Sequence, residues 1–150
     1  MQDPNEKVVT ELNDLIEYCK DGQKGYATAA EDVKNPELKS LFTNFAQQRA
    51  QFANELKAQV RTLGGDPDKA GSITGAVHRT WIDLKSAVSK GDEEAILQEC
   101  DRGDSAAEAK YDTILHSHQL PVNVQNVIKH QHDEIRNARN QIRSLKERMK

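Results

Sequence analysis

Residues 42–56 read FTNFAQQRAQFANEL and place a charge where the helical pattern calls for an apolar residue. The apolar positions of this face recur at helical spacing and comprise Leu38, Phe42, Phe45, Phe52 and Leu56. The position between Phe45 and Phe52 on the same face is Arg49. A charge on a buried helix face is costly unless it is paired and fully hydrogen-bonded. We therefore expect the rest of the chain to supply an acid and acceptors at the depth of Arg49.

The composition bounds the class of protein. A chain of 150 residues favours a single domain, 1–150, that buries its own core. Its 36% hydrophobic and 30% charged residues suit long amphipathic helices that each bury one stripe. A net charge of −3 argues against a general binder of nucleic acid or anionic membranes. No stretch resembles a signal peptide or a membrane span, so the expected compartment is the cytoplasm.

Prolines and glycines divide the chain into helices. The prolines at 4, 36, 67 and 121 fall where a helix would begin or in a loop, which suits a residue without a backbone N–H. With the apolar periodicity, they predict helices at about 5–34, 36–63, 74–89, 92–118 and 121–149. Four matched long helices with two tight reversals predict an all-α four-helix bundle. The long segment 64–91 favours up-down-down-up over up-down-up-down directions, with the extra helix in the crossover between the second and third long helices.

Charge is divided between the last two long helices. The helix at 92–118 is mainly acidic and the helix at 121–149 is mainly basic. The preferred interpretation is a pair of complementary faces in which each exposed ion pair contributes little. A basic docking patch for an anionic partner is the alternative.

Each long helix carries one polar residue on its apolar face, close to the helix middle, when successive residues are placed about 100° apart. These four residues are Gln23, Arg49, Asp104 and Gln131. The pattern predicts a buried Arg49–Asp104 ion pair. The predicted buried polar layer is completed by Gln23, Gln131 and the hydroxyl groups of Tyr26 and Tyr111.

Small residues lie at the same level. Gly22, Gly25 and Gly103 each cost about 1 kcal/mol relative to alanine inside a helix, so we expect them to make room for neighbouring backbones or for the Arg and Tyr side chains. A π-bulge at Gly22 or Gly103, which would rotate the face that follows, is the alternative. Cys19 and Cys100 lie on apolar stripes and are expected to be buried free thiols.

Ferritin-like proteins hold two metals at this depth, through carboxylates on two helices and Glu-x-x-His on the other two. No Glu of this sequence has a His three residues later. Asp104, and marginally Glu134, are the carboxylates that remain near the predicted layer. The sequence therefore predicts no dimetal site and no cofactor. A metal site built from Asp104, Glu134 and His130 is the weaker alternative.

The remaining histidines favour surface roles. His116 and His118 fall in the last turn of a helix, where a cation meets the negative end of the helix dipole. His130 and His132 are two positions apart and point to opposite flanks. His130 and Glu134 could bind a metal loosely, but a surface hydrogen bond is preferred.

Three stretches carry a resemblance to a known family: LIEYCKDGQKGY at 15–26, QRAQFANEL at 48–56, and ECDRGD at 99–104 followed by Tyr111. With them, the whole chain resembles an uncharacterised bacterial family of ferritin-like four-helix bundle proteins, a domain of unknown function. The resemblance covers nearly all of the chain. It implies a fold and carries no established activity or ligand.

These observations lead to one expected function and two alternatives. We expect a non-catalytic ferritin-like bundle with a binding or structural role, whose partner is unknown and which self-associates through an exposed helix face. A link to stress responses follows only from the resemblance. The first alternative is a metal-binding redox enzyme that uses Asp104, Glu134, Glu99 or Glu108 with a nearby His. The second is an amphipathic bundle that opens on lipid.

Overall fold

The computed structural model describes residues 4–69, 81, 84–117 and 119–149. These residues form helices α1 (Pro4–Asp32), α2 (Pro36–Thr62), α3 (Leu84–Lys90), α4 (Glu93–Ser117) and α5 (Val122–Arg148). The described residues contain no strand, so the predicted all-α class is confirmed. Most of the predicted crossover helix at 74–89 lies outside the described residues; the part that is described forms α3, which continues to Lys90.

Local sequence signals set the start of α2. The Asn35 side chain accepts hydrogen bonds from the backbone N–H groups of Glu37 and Leu38, at 2.9 and 3.4 Å. Pro36, which has no N–H to satisfy, occupies the first turn. The short stretch before α2 therefore reverses the chain without leaving these helix-start donors unsatisfied.

Two glycines with positive φ mark the turns that follow α2 and α3. Gly64 has φ +83 and Gly91 has φ +68, a backbone region that glycine adopts at little cost. Beyond Gly91, the Asp92 carboxylate accepts from the backbone N–H of Ala95 at 3.1 Å and caps the start of α4. The helix ends thus lie close to the positions that the glycine and proline spacing predicted.

Contacts between non-consecutive helices define their directions. α1 and α2 are joined by a short connection, as are α4 and α5, so each consecutive pair runs antiparallel. The Ser117 hydroxyl donates to Glu11 near one end of α1, and the Tyr26 hydroxyl donates to Asp104 further along it. α1 and α4 therefore run antiparallel. It follows that α1 and α5 run in one direction and α2 and α4 in the other.

The buried apolar residues form two cores. The first core includes Phe42, Phe45, Leu84 and Ile96. The second core includes Leu12, Leu56, Ile114 and Ile128. Along α2, Ala46 belongs to the first core and Phe52 to the second, with the buried Arg49 between them. The polar layer thus lies where the two cores meet.

Opposite charges join α4 to α5. The carboxylates of Asp101 and Glu108 on α4 face four cations of α5. The N–O distances from Asp101 are 3.1 Å to Arg139, 3.3 Å to Arg143 and 3.6 Å to Lys146. Those from Glu108 are 3.2 Å to Arg136 and 2.5 Å to Arg139. The acidic and basic faces therefore pair as their charge pattern predicted. Over the described ranges, none of the helices combines the length and apolar character needed to cross a membrane.

Candidate functional site: a buried ion pair

Arg49 of α2 and Asp104 of α4 form a two-point ion pair at the junction of the two cores. Nη1 of Arg49 lies 2.5 Å from Oδ1 of Asp104, and Nη2 lies 3.2 Å from Oδ2. The side chains are only 2% and 1% exposed. Parallel N–H···O bonds between a guanidinium and a carboxylate give both strength and a fixed orientation. The predicted buried salt bridge is therefore confirmed.

Further groups complete the surroundings of both charges. The Tyr26 hydroxyl donates to Oδ2 of Asp104. The guanidinium lies over the Tyr26 ring, 5.4 Å from its centroid, where the ring face attracts a cation. Nε of Arg49 donates to Oε1 of Gln48 at 3.3 Å. The buried charges are thus satisfied by one another, by a phenol and by an amide.

Arg49 and Tyr26 keep their protonation states near neutral pH. Burial lowers the pKa of Arg49, but the charge and hydrogen bonds of Asp104, together with Tyr26 and Cys19, more than offset this and hold the pKa above its ordinary value. Burial, and then the charge of Asp104, raise the pKa of Tyr26 well above its ordinary value. Neither group changes its charge at neutral pH, so neither is suited to general acid–base catalysis there.

A second hydrogen-bond network lies on the side of the second core. The Tyr111 hydroxyl donates to Oε1 of Gln131 at 2.6 Å and contacts Sγ of Cys19 at 3.2 Å. Nε2 of Gln131 donates to the Phe52 carbonyl at 3.2 Å and to Oε1 of Glu55 at 3.0 Å. These side chains and the Phe52 carbonyl connect all four long helices in the interior. Tyr111 and Gln131 are buried, as the sequence predicted, and bond to each other.

Gln23 does not belong to the polar layer, and its predicted place there is wrong. It is exposed, whereas Gly22 is buried beside Arg49. The buried face of α1 runs through Cys19, Gly22 and Tyr26, and Gln23 lies about 100° away from Gly22 around the helix. A Cβ atom on Gly22 would lie 3.4 Å from Cγ and Nη1 of Arg49. Gly22 therefore packs against the Arg49 side chain with room for a methyl group.

Trp81 occupies the space left by the other two helical glycines. A Cβ atom on Gly25 would lie 2.7 Å from Cδ2 of Trp81, and one on Gly103 would lie 2.5 Å from Cζ2. The indole ring also packs against Tyr26 at a centroid distance of 5.4 Å. The glycines make room for a side chain, as predicted, but at these two positions that side chain is Trp81. The sequence signal for the position of this ring was the presence of two glycines, Gly25 and Gly103, on the buried faces of α1 and α4.

The two cysteines are buried free thiols. Burial raises the pKa of Cys19 to about 11 and that of Cys100 well above its ordinary value. Since the thiolate is the reactive and metal-binding form, both side chains behave as apolar core residues at neutral pH.

The metal ligands proposed as the weaker alternative lie in unlike surroundings. Asp104 is buried in its ion pair, Glu134 is half-buried, and His130 is exposed with its ring packed against Phe52 at a centroid distance of 6.4 Å. In the described part of the chain, no three His, Cys, Asp or Glu side chains are already arranged to hold a metal ion. These three residues therefore form no ready metal site. His118 lies outside the described residues.

The described residues define an all-α protein with a buried ion pair at the junction of two apolar cores. Residues 7–117 match the family described as a domain of unknown function (DUF2383), and the chain belongs to that family. The matched region contains both Arg49 and Asp104 and ends at Ser117, before α5. Comparison with curated proteins found no match.

Proposed function

We propose that this protein is a ferritin-like helical bundle in which an ion pair stands in the place of the metals, and that its role is binding or structural rather than catalytic. The observation that carries this proposal is the Arg49–Asp104 pair, with side chains 2% and 1% exposed, at the centre of the interior. A metal site at this depth needs carboxylate oxygens free to coordinate. Here a guanidinium occupies that position instead.

The carboxylate of Asp104 is already engaged on both oxygens. Oδ1 accepts from Arg49, and Oδ2 accepts from Arg49 and from Tyr26. A divalent cation would have to displace these donors and lie beside a positively charged guanidinium in an interior of low dielectric constant, where like charges repel strongly. The local chemistry favours a permanent structural pair over a reversible metal site.

The helix directions support the ferritin-like part of the proposal. α1 and α5 run against α2 and α4, and the chain passes from the end of α2 at Thr62 to the start of α4 at Glu93 through a long connection. One long crossover in a bundle of four helices is typical of ferritin-like folds. The bacterial origin, the cytoplasmic location and a stress-related role are further parts of this proposal, supported by the resemblance and the composition.

The competing function, a redox metalloprotein, can be tested by metal analysis. The protein is purified from cells grown with added iron and manganese, its metal content is measured, and Fe²⁺ oxidation is followed after reconstitution. We expect neither stoichiometric iron or manganese nor accelerated Fe²⁺ oxidation. The same measurements on His116→Ala and His130→Ala, which remove exposed imidazoles, exclude ions held at the surface. Stoichiometric metal retained in both variants, together with Fe²⁺ oxidation, would overturn the non-catalytic proposal.

A further inference from the structure

We propose that the cavity between the start of α1 and the loop after α2 binds the ammonium group of a small aliphatic amine. The cavity has a volume of about 540 Å³, which lies in the range of small-molecule sites, and its described lining falls at 5–13 and 63–69. It lies at the end of the bundle where α1 begins and α2 ends, apart from the Arg49–Asp104 pair. The proposal does not depend on the proposed function, because a ligand at this end is compatible with a catalytic or a structural interior.

Asn13 provides the first observation. Its residue is 3% exposed, and it lines the cavity. Nδ2 of Asn13 donates to the Asp66 carbonyl at 3.2 Å. Because a carbonyl oxygen can only accept, this contact fixes the orientation of the amide and leaves Oδ1 without a hydrogen-bond partner among the described residues. A buried acceptor in this state is costly, and a donor from a ligand in the cavity would satisfy it.

The loop after α2 holds further acceptors close to Asn13. The backbone N–H of Gly65 donates to the Val60 carbonyl at 2.9 Å, which ties the loop to the end of the helix. A Cβ atom on Gly65 would lie 2.6 Å from Cγ1 of Val9, so glycine at this position lets the loop lie directly on α1. This close approach places the Asp66 carbonyl on Asn13 and brings the Asp66 residue to the same cavity.

The charges of the lining favour a cation. Glu6 and Asp66 belong to the lining, and Lys69 is the one lysine or arginine among its described residues. Neither carboxylate forms an ion pair with a described residue, and Oδ1 of Asp66 accepts from the backbone N–H of Asp68 at 2.9 Å. An ammonium group carries one positive charge and three N–H donors, which matches two carboxylates and the amide oxygen of Asn13.

Two further features favour an aliphatic amine over a metal ion. In the described ranges, no three His, Cys, Asp or Glu side chains could hold a metal ion. Val9 and Leu63, which are half-buried, add apolar surface to the lining. A short alkyl chain attached to the ammonium group would be removed from water against these two side chains. The ligand class is therefore a primary amine with a short hydrocarbon chain.

The test is an NMR titration of the full, ¹⁵N-labelled chain with n-butylamine at neutral pH, where the amine is protonated, and at constant ionic strength. We expect saturable shifts of the backbone N–H signals of Gly64 and Gly65 and of the side-chain amide signals of Asn13. The same titration with 1-butanol, which has nearly the same length but no charge, should leave these signals unchanged.

Three variants locate the binding groups. Asn13→Ala should weaken the affinity for n-butylamine about two- to tenfold, the range expected for one hydrogen bond. Glu6→Gln should weaken it about two- to fivefold, as expected for one exposed charge pair. The matched control is Glu31→Gln, which removes the same charge from an exposed position near the other end of α1, outside the lining. This control should bind as the original sequence does.

Glu6→Gln keeps the test decisive if Asn13→Ala loosens the loop, because Glu6 is exposed and it is its backbone carbonyl that accepts from Thr10. Absence of saturable shifts at these signals would overturn the proposal. So would equal shifts with 1-butanol, or equal affinities of Glu6→Gln and Glu31→Gln. Failure here leaves the metal content of the interior to be decided by the iron and manganese measurements, so the two proposals fail separately.

Discussion

Arg49 is tolerated in the interior because its environment is complete. Asp104 neutralises its charge through two contacts, Tyr26 presents the face of its ring, and Gly22 packs against its side chain. Such a pair does not necessarily make a protein more stable than an apolar replacement would, since both charges must be removed from water. We expect its main consequence to be specificity: it should fix the position of α2 relative to α4, because any sliding would leave two buried charges unpaired.

The helical glycines give a matched test of this packing. We expect Gly103→Ala to destabilise the protein by about 1–3 kcal/mol, because the new methyl group would overlap the Trp81 ring. Gly22→Ala should be close to neutral or stabilising by up to about 1 kcal/mol, since its methyl group would only touch Arg49 and alanine favours the helix. Urea unfolding of both variants measures the difference.

Trp81 supplies the control for the glycine test. In a Trp81→Ala background, the penalty of Gly103→Ala should largely disappear. If Gly103→Ala costs the same with and without the indole ring, the ring is not the reason that α4 carries a glycine there.

At the scale of single residues, the sequence predicted the charged pair but not all of its surroundings. Arg49 and Asp104 could be identified because each interrupts an otherwise apolar stripe, and opposite buried charges must meet. Gln23 was placed in the layer because a polar side chain was expected at a step that Gly22 occupies. A glycine has no side chain that an apolar or polar periodicity could detect, so the pattern did not identify Gly22 as the residue of α1 that packs against Arg49.

The hairpin of α4 and α5 shows how charge organises an element. Arg139 contacts both Asp101 and Glu108, so one guanidinium joins two carboxylates that lie about two turns apart on the facing helix. The Arg139 side chain is 14% exposed, and its ion pairs are screened less by salt than those of fully exposed side chains. The ion pairs therefore hold the register of two helices whose charge patterns already predicted that they would associate.

Glu108 makes this hairpin sensitive to acid. Burial raises its pKa, but hydrogen bonds from Arg139 and Arg136 more than offset this and place it below the ordinary value of 4.5. A carboxylate with a lowered folded-state pKa contributes stability above its unfolded-state pKa and loses it as the pH falls through the folded-state value. Glu108→Gln should thus be less stable than the original sequence at neutral pH, and the difference should shrink below about pH 4.5.

Urea unfolding at neutral pH and at about pH 3 measures this effect. Arg139→Gln is the companion variant. It should reduce the pH-dependent difference between Glu and Gln at position 108. A difference that stays constant from neutral to acid pH would show that Glu108 does not contribute through its charge.

The extent of each element was largely predictable because prolines and glycines mark it. Pro36 and Gly64 bound α2, and Gly91 with Asp92 precedes α4. These residues act through their own backbone preferences, which do not depend on the rest of the fold. The approach of Asn13 to the Asp66 carbonyl was not predictable, because it depends on how the loop after α2 lies on α1.

At the scale of the whole molecule, the described residues form two apolar cores with a polar layer between them. The all-α class follows from helical periodicity, and the family membership follows from residues 7–117. The role of the protein is less accessible to sequence reasoning, because a buried ion pair does not by itself identify a ligand or a partner. The architecture is therefore best tested by measuring how much the ion pair in the polar layer contributes to the free energy of unfolding.

The most direct test of this account is a double-mutant cycle on Arg49 and Asp104, followed by urea unfolding. Arg49→Met alone should cost about 3–5 kcal/mol, because it leaves the Asp104 charge buried without its partner. Asp104→Leu alone should cost a similar amount for the opposite reason. The double variant should recover much of this loss, giving a coupling well above the error of about 0.5 kcal/mol expected for independent sites. Strictly additive effects of the two substitutions would show that the ion pair is not what joins the two cores.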